Sequence, residues 1–433
     1  MSRRIALALA GALILLAGNG HAEVIAISGG TVHTLSDRGT IDDAVVIIED
    51  GQITQVGRGL KIPESATRID ATGKVVTPGL FAAHTQLGLV EVNAVSGTVD
   101  GQQRGTEFGA AFEVADAYNP ASTLVAVSRV EGVTRAAIVP SPGYDWNGTP
   151  GGVLSGQAAV VHLGEGDDFL VLRKAAVVAH LGADGGVLAG GSRAGALLAL
   201  TTAFEDAIDY ARFRDAYDAG ARREYSVSRA DLEALQSVLS GDTPVYLSVD
   251  RASDIRVAID MADRFGLKLV VVGGAEAWKV ADRLAASNTA VIVSPLRNLP
   301  GSFDSLSSTL ENARALQEAG VRLVLSDGDT HNARNLTQLA GNAVAHGLPW
   351  IEGLRAITAT PADVLGLGDK FGRIAPGMVA DVVVWDGDPL ELTSYPVEVL
   401  IDGAVVEGDS RQTLLRDRYR DLTDARPPAY RNR

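Results

Sequence analysis

The 433-residue sequence predicts an α/β protein: a (β/α)8 TIM-like barrel with a composite β-sandwich formed by the N- and C-terminal flanks. In the middle of the chain, short apolar segments alternate with helix-length amphipathic segments, which is typical of a parallel sheet with right-handed crossovers. The number of these units favours closure of the sheet into a barrel. At both ends of the chain the helical period is absent and short segments bounded by Gly and Asp indicate strands.

The first 22 residues have the features of a cleavable signal peptide. Arg3 and Arg4 precede an unbroken apolar run over residues 5–17, and a small-residue cleavage site ends at Ala22. The run is too short to span a bilayer as an anchor. We therefore expect a periplasmic or secreted protein with no membrane anchor. The general secretory route is favoured over the twin-arginine route because Ala6 stands where that motif has Phe.

Composition excludes several classes of function. The formal net charge is -15, so the surface repels nucleic-acid phosphates and anionic lipids. The sequence contains no Cys, which excludes disulfides, thiolate metal ligands and a lipid-modified cysteine. The apolar fraction of 46% supplies ample core for a globular protein.

The flanks and the centre give a domain plan. We assign residues 23–76 to the N-terminal part of the β-sandwich, with a hairpin at Asp50-Gly51. The barrel occupies residues 77–360 and the C-terminal part of the sandwich residues 361–410. The tail, residues 411–433, is predicted to be a loosely packed helix with an unstructured end.

Within the barrel the predicted elements follow in order. Its strands are predicted at 133–139, 244–249, 267–272, 290–293 and 321–325, and its helices at 253–265, 276–286, 307–319, 335–345 and 350–359. Gly-rich and acidic loops interrupt the alternation between residues 95 and 235. The last helix is expected to stop before Pro361, because the residue before a proline disfavours the helical conformation.

The most informative phrase is residues 77–88, which predict a buried strand ending in a tight turn. His84 and Gln86 lie two residues apart, so both side chains point to the same face of a strand. A second His in place of Gln86 would complete a metal-binding pair. Glutamine is not a usual ligand of zinc-type ions.

Two phrases together resemble the amidohydrolase superfamily, in its imidazolonepropionase-like branch. They are residues 77–88 and residues 372–386, with Ile357-Thr358 and Pro361-Ala362 between them. The resemblance covers nearly all of the mature chain. It implies a barrel with a composite sandwich, hydrolysis of C–N bonds in amides or lactams, and a divalent zinc-type metal at the barrel mouth.

The resemblance also implies the site residues. His84 matches the first metal-ligating His. Asp327 matches the Asp at the end of the eighth strand, which binds metal and acts as the catalytic base, and Asp329 is the competing register. His331 and Asn332 follow directly and are predicted to form a substrate loop.

Other expected ligand positions carry residues that do not bind metal. Gln86, Ser248 and Gly273 stand where His is expected, so we expect any metal to be weakly bound or absent. His180 and His162 are alternative ligands, although an isolated His in an apolar stretch is usually structural.

Two functions therefore compete at this point. The first is an exported hydrolase of C–N bonds in a small amide-like substrate, with a reduced or altered metal site. The alternative is a catalytically inactive paralogue that binds or scaffolds, as a homo-oligomer or with an active homologue.

Overall fold

A computed structural model describes residues 24–420, except residues 104, 106–107, 145–147, 298, 329 and 407–409. The predicted signal peptide and the end of the tail, residues 421–433, lie outside the described residues. The chain forms two sheets with helices around the second.

The strands are β1 (Val24–His33), β2 (Thr40–Glu49), β3 (Gln52–Arg58), β4 (Thr67–Asp70), β5 (Val75–Pro78), β6 (Leu80–Thr85), β7 (Val133–Ile138), β8 (Leu154–His162), β9 (Leu170–His180), β10 (Val245–Val249), β11 (Leu269–Gly273), β12 (Ala290–Val293), β13 (Leu323–Leu325), β14 (Val382–Trp385), β15 (Pro396–Ile401) and β16 (Ala404–Val405).

The helices are α1 (Thr123–Val130), α2 (Gly182–Leu188), α3 (Arg193–Arg212), α4 (Arg214–Asp218), α5 (Arg229–Ala234), α6 (Gln236–Leu239), α7 (Ala252–Phe265), α8 (Ala281–Ala286), α9 (Asn312–Glu318), α10 (Leu336–Ala345), α11 (Trp350–Arg355), α12 (Ala359–Val364) and α13 (Arg411–Arg420). Short 3-10 helices occupy Ser96–Thr98, Val114–Ala117, Ala277–Val280 and Ala333–Asn335.

Both ends of the chain build the first sheet. Its strand order is β16-β15-β14-β5-β1-β2-β3, with β4 paired to β1. The two ends meet where β14 pairs antiparallel with β5. Aliphatic side chains from both ends share one core, including Ile27, Val46 and Val384. The predicted combination of a barrel with a separate domain made from the flanks is confirmed.

The second sheet is the barrel, with strand order β13-β12-β11-β10-β9-β8-β7-β6. The expectation of an all-parallel barrel is wrong for one strand: β8 runs antiparallel to both β7 and β9. Only residues 163–169 join β8 to β9, and a parallel crossover needs a dozen or more residues. The broken alternation in this region of the sequence reflects this hairpin.

The first and last barrel strands, β6 and β13, are joined by hydrogen bonds that do not belong to a regular strand pairing. The Ser326 hydroxyl donates to the carbonyl oxygen of His84 at 2.9 Å. The backbone N–H of Leu325 donates to Ala356 O, and that of Phe81 donates to Ile357 O. Residues 356–357 therefore bridge the first and last barrel strands.

The barrel helices follow from apolar periodicity. Helix α7 buries Ile255, Ala258, Ile259 and Ala262 against the sheet. It ends at Phe265 and is followed by Gly266, whose φ of +68° is the left-handed conformation that favours glycine after a helix. This agrees with the predicted helix over residues 253–265 to within one residue.

Three predicted helices need correction. The helix predicted over 276–286 is a 3-10 helix, Ala277–Val280, followed by the short helix α8. The helix predicted over 307–319 is shorter, because α9 begins at Asn312. The helix predicted over 350–359 is two helices, α11 and α12, and Pro361 lies inside α12. Proline is tolerated there because the first turn of a helix has no intrahelical partner for its N–H groups.

A buried ion network joins the barrel to the first sheet. Arg135 of β7 is 2% exposed and donates through Nε and Nη2 to the Asp381 carboxylate, at 2.6 and 2.9 Å. It also pairs at 2.5 Å with Asp402 in the turn between β15 and β16, and it stacks on the Phe371 ring. Asp381 precedes β14, so one barrel side chain holds two points of the C-terminal segment.

Over the described parts of residues 24–420, no single helix has the length and apolar character needed to cross a bilayer. The bent pair α2 and α3 meets that length and composition only when taken together.

We predict that Arg135→Met lowers the free energy of unfolding by about 3–5 kcal/mol, because it leaves the buried Asp381 carboxylate uncompensated. Denaturant unfolding followed by circular dichroism measures this. The matched control is Arg58→Met, which removes the exposed ion pair with Asp42 and should change stability by less than about 1 kcal/mol. Equal effects of the two substitutions would contradict the assigned role of Arg135.

Candidate ligand site at the barrel mouth

A cavity of about 270 Å³ lies at the carboxyl ends of the barrel strands. This end of a (β/α)8 barrel is where active sites form, because loops from several strands converge there. Its lining comprises His84, Leu181, Ala183, Asp184, Ser248, Val249, Asp250, Val272, Gly273, Ile292, Ser294, Arg297, Ser302, Asp304, Ser326, Asp327 and Gly328.

His84 is held at the cavity by residues that directly follow β13. Ser326 binds its carbonyl oxygen, and Gly328 packs against its ring. A Cβ at Gly328 would lie 3.0 Å from His84 Nδ1, and its φ of +76° also favours glycine. Burial lowers the pKa of His84 to about 4, and the positive charge of Arg297 contributes. The imidazole is therefore neutral at neutral pH.

Gln86 does not share the cavity with His84 in the described lining. Its amide Nε2 donates to the Ser141 hydroxyl at 2.8 Å. It also packs beside Gly101, where a Cβ would lie 2.9 Å from Nε2. The position that would complete a metal-binding pair instead links the loops that follow β6 and β7.

Gly273, at the end of β11, lies where the resemblance places a His ligand. Its φ is +96°, a conformation that side-chain-bearing residues rarely adopt. A Cβ there would lie 2.6 Å from Asp250 Oδ1. The Asp250 carboxylate occupies the space and accepts from the backbone N–H of Ala275 at 3.1 Å. A histidine does not fit this backbone.

Asp250 has an unusual environment. Burial raises the pKa of its carboxyl group, and the neighbouring carboxylates of Asp184 and Asp304 add to this. The bond from Ala275 and the positive charge of Arg297 act in the opposite direction. Asp250 therefore holds a proton more readily than an ordinary aspartate.

The predicted site residues that follow β13 do not all lie at the cavity. Asp327 lines the cavity beside Ser326, and Asp329 lies outside the described residues. His331 is exposed, with Nδ1 3.1 Å from the Thr330 hydroxyl, and Asn332 is half-buried. Neither belongs to the described lining of the cavity, so the substrate-loop role stays a prediction.

The two alternative His ligands lie in different places. His180, at the end of β9, is buried with Nε2 2.8 Å from the Ser155 hydroxyl. Burial lowers its pKa to about 4, and the charge of His84 contributes. His162 is the last residue of β8, and its Nδ1 lies 3.9 Å from the Asp402 carboxylate of the first sheet. Because β8 runs opposite to its neighbouring strands, its end lies away from the mouth of the barrel.

The loop after β12 supplies cavity residues that sequence reasoning missed. Arg297 and Asp304 both line the cavity. Asp304 is buried, accepts from the backbone N–H of Ala183 at 2.8 Å and pairs with Arg193. No motif marks these positions in the sequence. The only available signal was their place after a predicted barrel strand.

Residues 171–412 match the model of the amidohydrolase family. The chain belongs to this family. Relatives named amidohydrolase and imidazolonepropionase support hydrolysis of C–N bonds as its general chemistry.

Among individual relatives, amidohydrolase tasK of Hapsidospora irregularis is 24% identical over 83% of this chain. The matched region spans only 39% of the length of tasK. The imidazolonepropionase of Paracoccus denitrificans is 28% identical over 82% of this chain and 91% of its own. The crystal structure of an amidohydrolase from Thermotoga maritima has a TM-score of 0.78 and 27% identity, covering 89% of this chain and all of its own.

Amidohydrolases typically bind a divalent metal, but the described residues at this mouth do not form a group that could hold one. Across the described positions, no three His, Asp or Glu side chains converge as a metal-binding group. A catalytic zinc site normally uses three protein ligands. Gln86 binds Ser141 instead, and the backbone of Gly273 excludes a His.

We predict that Gly273→Ala destabilises the chain by about 1–3 kcal/mol more than Gly191→Ala does. The two glycines have similar φ values, +96° and +102°, but Gly191 has open space around its Cα whereas Gly273 faces the Asp250 carboxylate. The difference isolates the close contact from the backbone strain, and paired denaturant curves measure it. Equal destabilisation would show that Asp250 does not occupy this space.

Proposed function

We propose that this chain is an exported member of the amidohydrolase family that binds a small amide-like molecule in the barrel-mouth cavity without a zinc-type metal. The observation that carries the proposal is the cavity at the carboxyl ends of the barrel strands, where active sites of such barrels form. Gln86, Ser248 and Gly273 occupy positions where the resemblance places His ligands. The N-terminal sequence supports export.

The chemistry of the lining suits an amide. Ser248, Ser294 and Ser326 offer hydroxyl groups that donate to a carbonyl oxygen or accept from an amide N–H. The neutral His84 ring provides a further polar group at the same cavity. Val272 and Ile292 give the apolar surface that small-molecule sites combine with a few polar groups.

Binding without a metal has a direct test. Protein purified without chelators should contain well under one zinc per chain by elemental analysis, before and after dialysis against zinc. Calorimetric titration with a small amide, a lactam and a dipeptide should show binding of at least one. Stoichiometric zinc that is lost in His84→Ala would contradict a metal-free site.

The cavity is tested by filling it. Ser248→Tyr should weaken binding of the amide at least about tenfold, because the ring occupies the space that the ligand needs. Ser65→Tyr is the control, since Ser65 is exposed in the loop between β3 and β4. Unchanged binding in Ser248→Tyr would place the ligand elsewhere.

The raised pKa of Asp250 favours a second candidate, metal-free hydrolysis of a C–N bond. In such a reaction Asp327 takes a proton from a water molecule that attacks the carbonyl carbon. Asp250, in its protonated form, gives a proton to the leaving nitrogen as the C–N bond breaks. Both carboxyl groups line the same cavity.

If hydrolysis occurs, Asp250→Asn should lower kcat about 100-fold or more while the amide still binds. Asp263→Asn is the control, because Asp263 is an exposed carboxylate on α7 and does not belong to the described lining of the cavity. Turnover measured by amine release separates the two variants. Amide binding with no turnover in the wild-type chain would leave binding alone as the function.

A further inference from the structure

A second cavity, a groove of about 320 Å³, lies where residues of α1, β15 and α13 meet. We call it the sheet groove. Helix α1 packs against both β15 and α13, so the walls come from the barrel, the first sheet and the last described helix. None of the described lining residues is shared with the barrel-mouth cavity, so the two sites are separate.

The sheet groove offers apolar surface to a ligand. Six of its ten described lining residues are apolar, namely Val130, Tyr395, Pro396, Val397, Val399 and Val406. Tyr395 is 60% exposed and Val397 is 47% exposed. Because these side chains line one space, their exposed surfaces form a single patch, and such a patch marks a binding site.

Glu131, directly after α1, gives the sheet groove a negative charge. Its side chain is half-buried, and burial raises the pKa of the carboxyl group, while the positive charge of Arg334 acts in the opposite direction. Arg334 itself donates to Gln412 at 2.8 Å. Within the part of the chain that the structure describes, the Glu131 carboxylate has no ion-pair partner. A cationic group on a ligand would relieve the cost of burying this carboxylate.

The other charges of the lining do not alter this balance. Glu398 adds a second carboxylate to the sheet groove. Arg416 of α13 also lines it, and its guanidinium is paired with Asp417 at 2.9 Å. The ligand that fits is therefore a segment with an apolar side chain and positive charge.

The tail that follows α13 has this chemistry. Residues 425–433 contain three Arg, one aromatic residue, Tyr430, and no Asp or Glu, in a chain whose net charge is -15. They also contain the pair Pro427-Pro428. Pro-rich segments favour an extended conformation and bind grooves that have aromatic side chains, at a low cost in entropy.

The tail also starts close to the sheet groove. Thr413 and Arg416 line the groove, and α13 ends at Arg420, about one helical turn beyond Arg416. The ten residues from Arg420 to Tyr430 can span about 33 Å when extended, which is enough to return to the groove. Attachment to the same chain raises the effective concentration of the tail there. These points favour the chain's own tail over a separate partner.

We propose that residues 425–433 of the tail dock in the sheet groove of the same chain. Tyr430 packs against Val397 and Val399, and Arg431 pairs with Glu131. The docked tail joins the end of the chain to the junction between the barrel and the first sheet. This interaction is independent of ligand binding at the barrel mouth.

A single fluorescent label on the mature chain tests the docking, because the chain contains no Cys of its own. In Ala429→Cys labelled with acrylodan, the emission should be shifted to the blue of that of the labelled peptide 421–433 alone. Unlabelled peptide should reverse half of the shift only at about 1 mM, the effective concentration typical of a short tether. Asn432→Cys repeats the measurement, so that a label that itself blocks docking is recognised.

Val397→Arg tests the apolar contact. It should abolish the blue shift in the labelled chain, because the new side chain fills the sheet groove and repels the Arg-rich tail. Leu392→Arg is the matched control and should keep the shift. Leu392 is 69% exposed in the loop between β14 and β15 and lies outside the described lining of the groove.

Glu131→Gln tests the charged contact. It should lower the equilibrium constant for docking about fivefold or more, measured from the docked fraction. Arg431→Gln should then add little, because the two substitutions remove the same pair. Glu391→Gln is the control, since Glu391 is exposed and lies outside the described lining.

Emission equal to that of the free peptide, or a shift that persists in Val397→Arg, would overturn the proposal. A shift that grows with protein concentration, together with the mass of a dimer in light scattering, would place the tail on a second copy and also contradict it. Circular dichroism checks that each variant is folded. If Val397→Arg does not fold, the pair Glu131→Gln and Arg431→Gln decides the outcome.

Discussion

The contact between Arg135 and Asp381 is the constraint that sets the arrangement of the two sheets. A buried charge is stable only when an opposite charge and hydrogen bonds surround it, so these two residues require each other. They are 246 residues apart in the chain. By pairing, they fix the C-terminal strands against the barrel strand β7, and Asp402 adds a second point from the next turn. The N-terminal strands then complete the same sheet through β5 and β14.

This attachment is separate from the mouth of the barrel. Arg135 lies near the start of β7, whereas the cavity lies at the carboxyl ends of the strands. The reversed strand β8 ends at His162 beside Asp402, which also belongs to the attachment. The barrel can therefore keep its architecture while the residues at its mouth change. The presence of Gln86, Ser248 and Gly273, where the resemblance places His, is compatible with an intact fold for this reason.

Two positions where the resemblance places metal ligands make other contacts. Gln86 binds Ser141 and joins two loops, and Asp250 takes the space beside Gly273. The Gln86 amide and the Asp250 carboxylate each have a hydrogen-bond partner in a partly buried site. The loop after β12 adds the cation Arg297, and Val272 and Ile292 provide apolar surface. Together these features give a site with hydrogen-bonding, charged and apolar parts, which is the composition of a small-molecule site.

The sequence by itself determined the fold class, the strand-rich flanks and the position of His84 and Asp327 at the barrel mouth. Apolar periodicity and strand-end phrases are local, and they report which face of an element is buried. Only the tertiary structure decided the reversal of β8, the pairing of Arg135 with Asp381 and Asp402, the direction of the Gln86 amide and the entry of Arg297 into the cavity. These depend on which distant segments become neighbours and on the backbone conformation at single residues such as Gly273, and no local pattern encodes either.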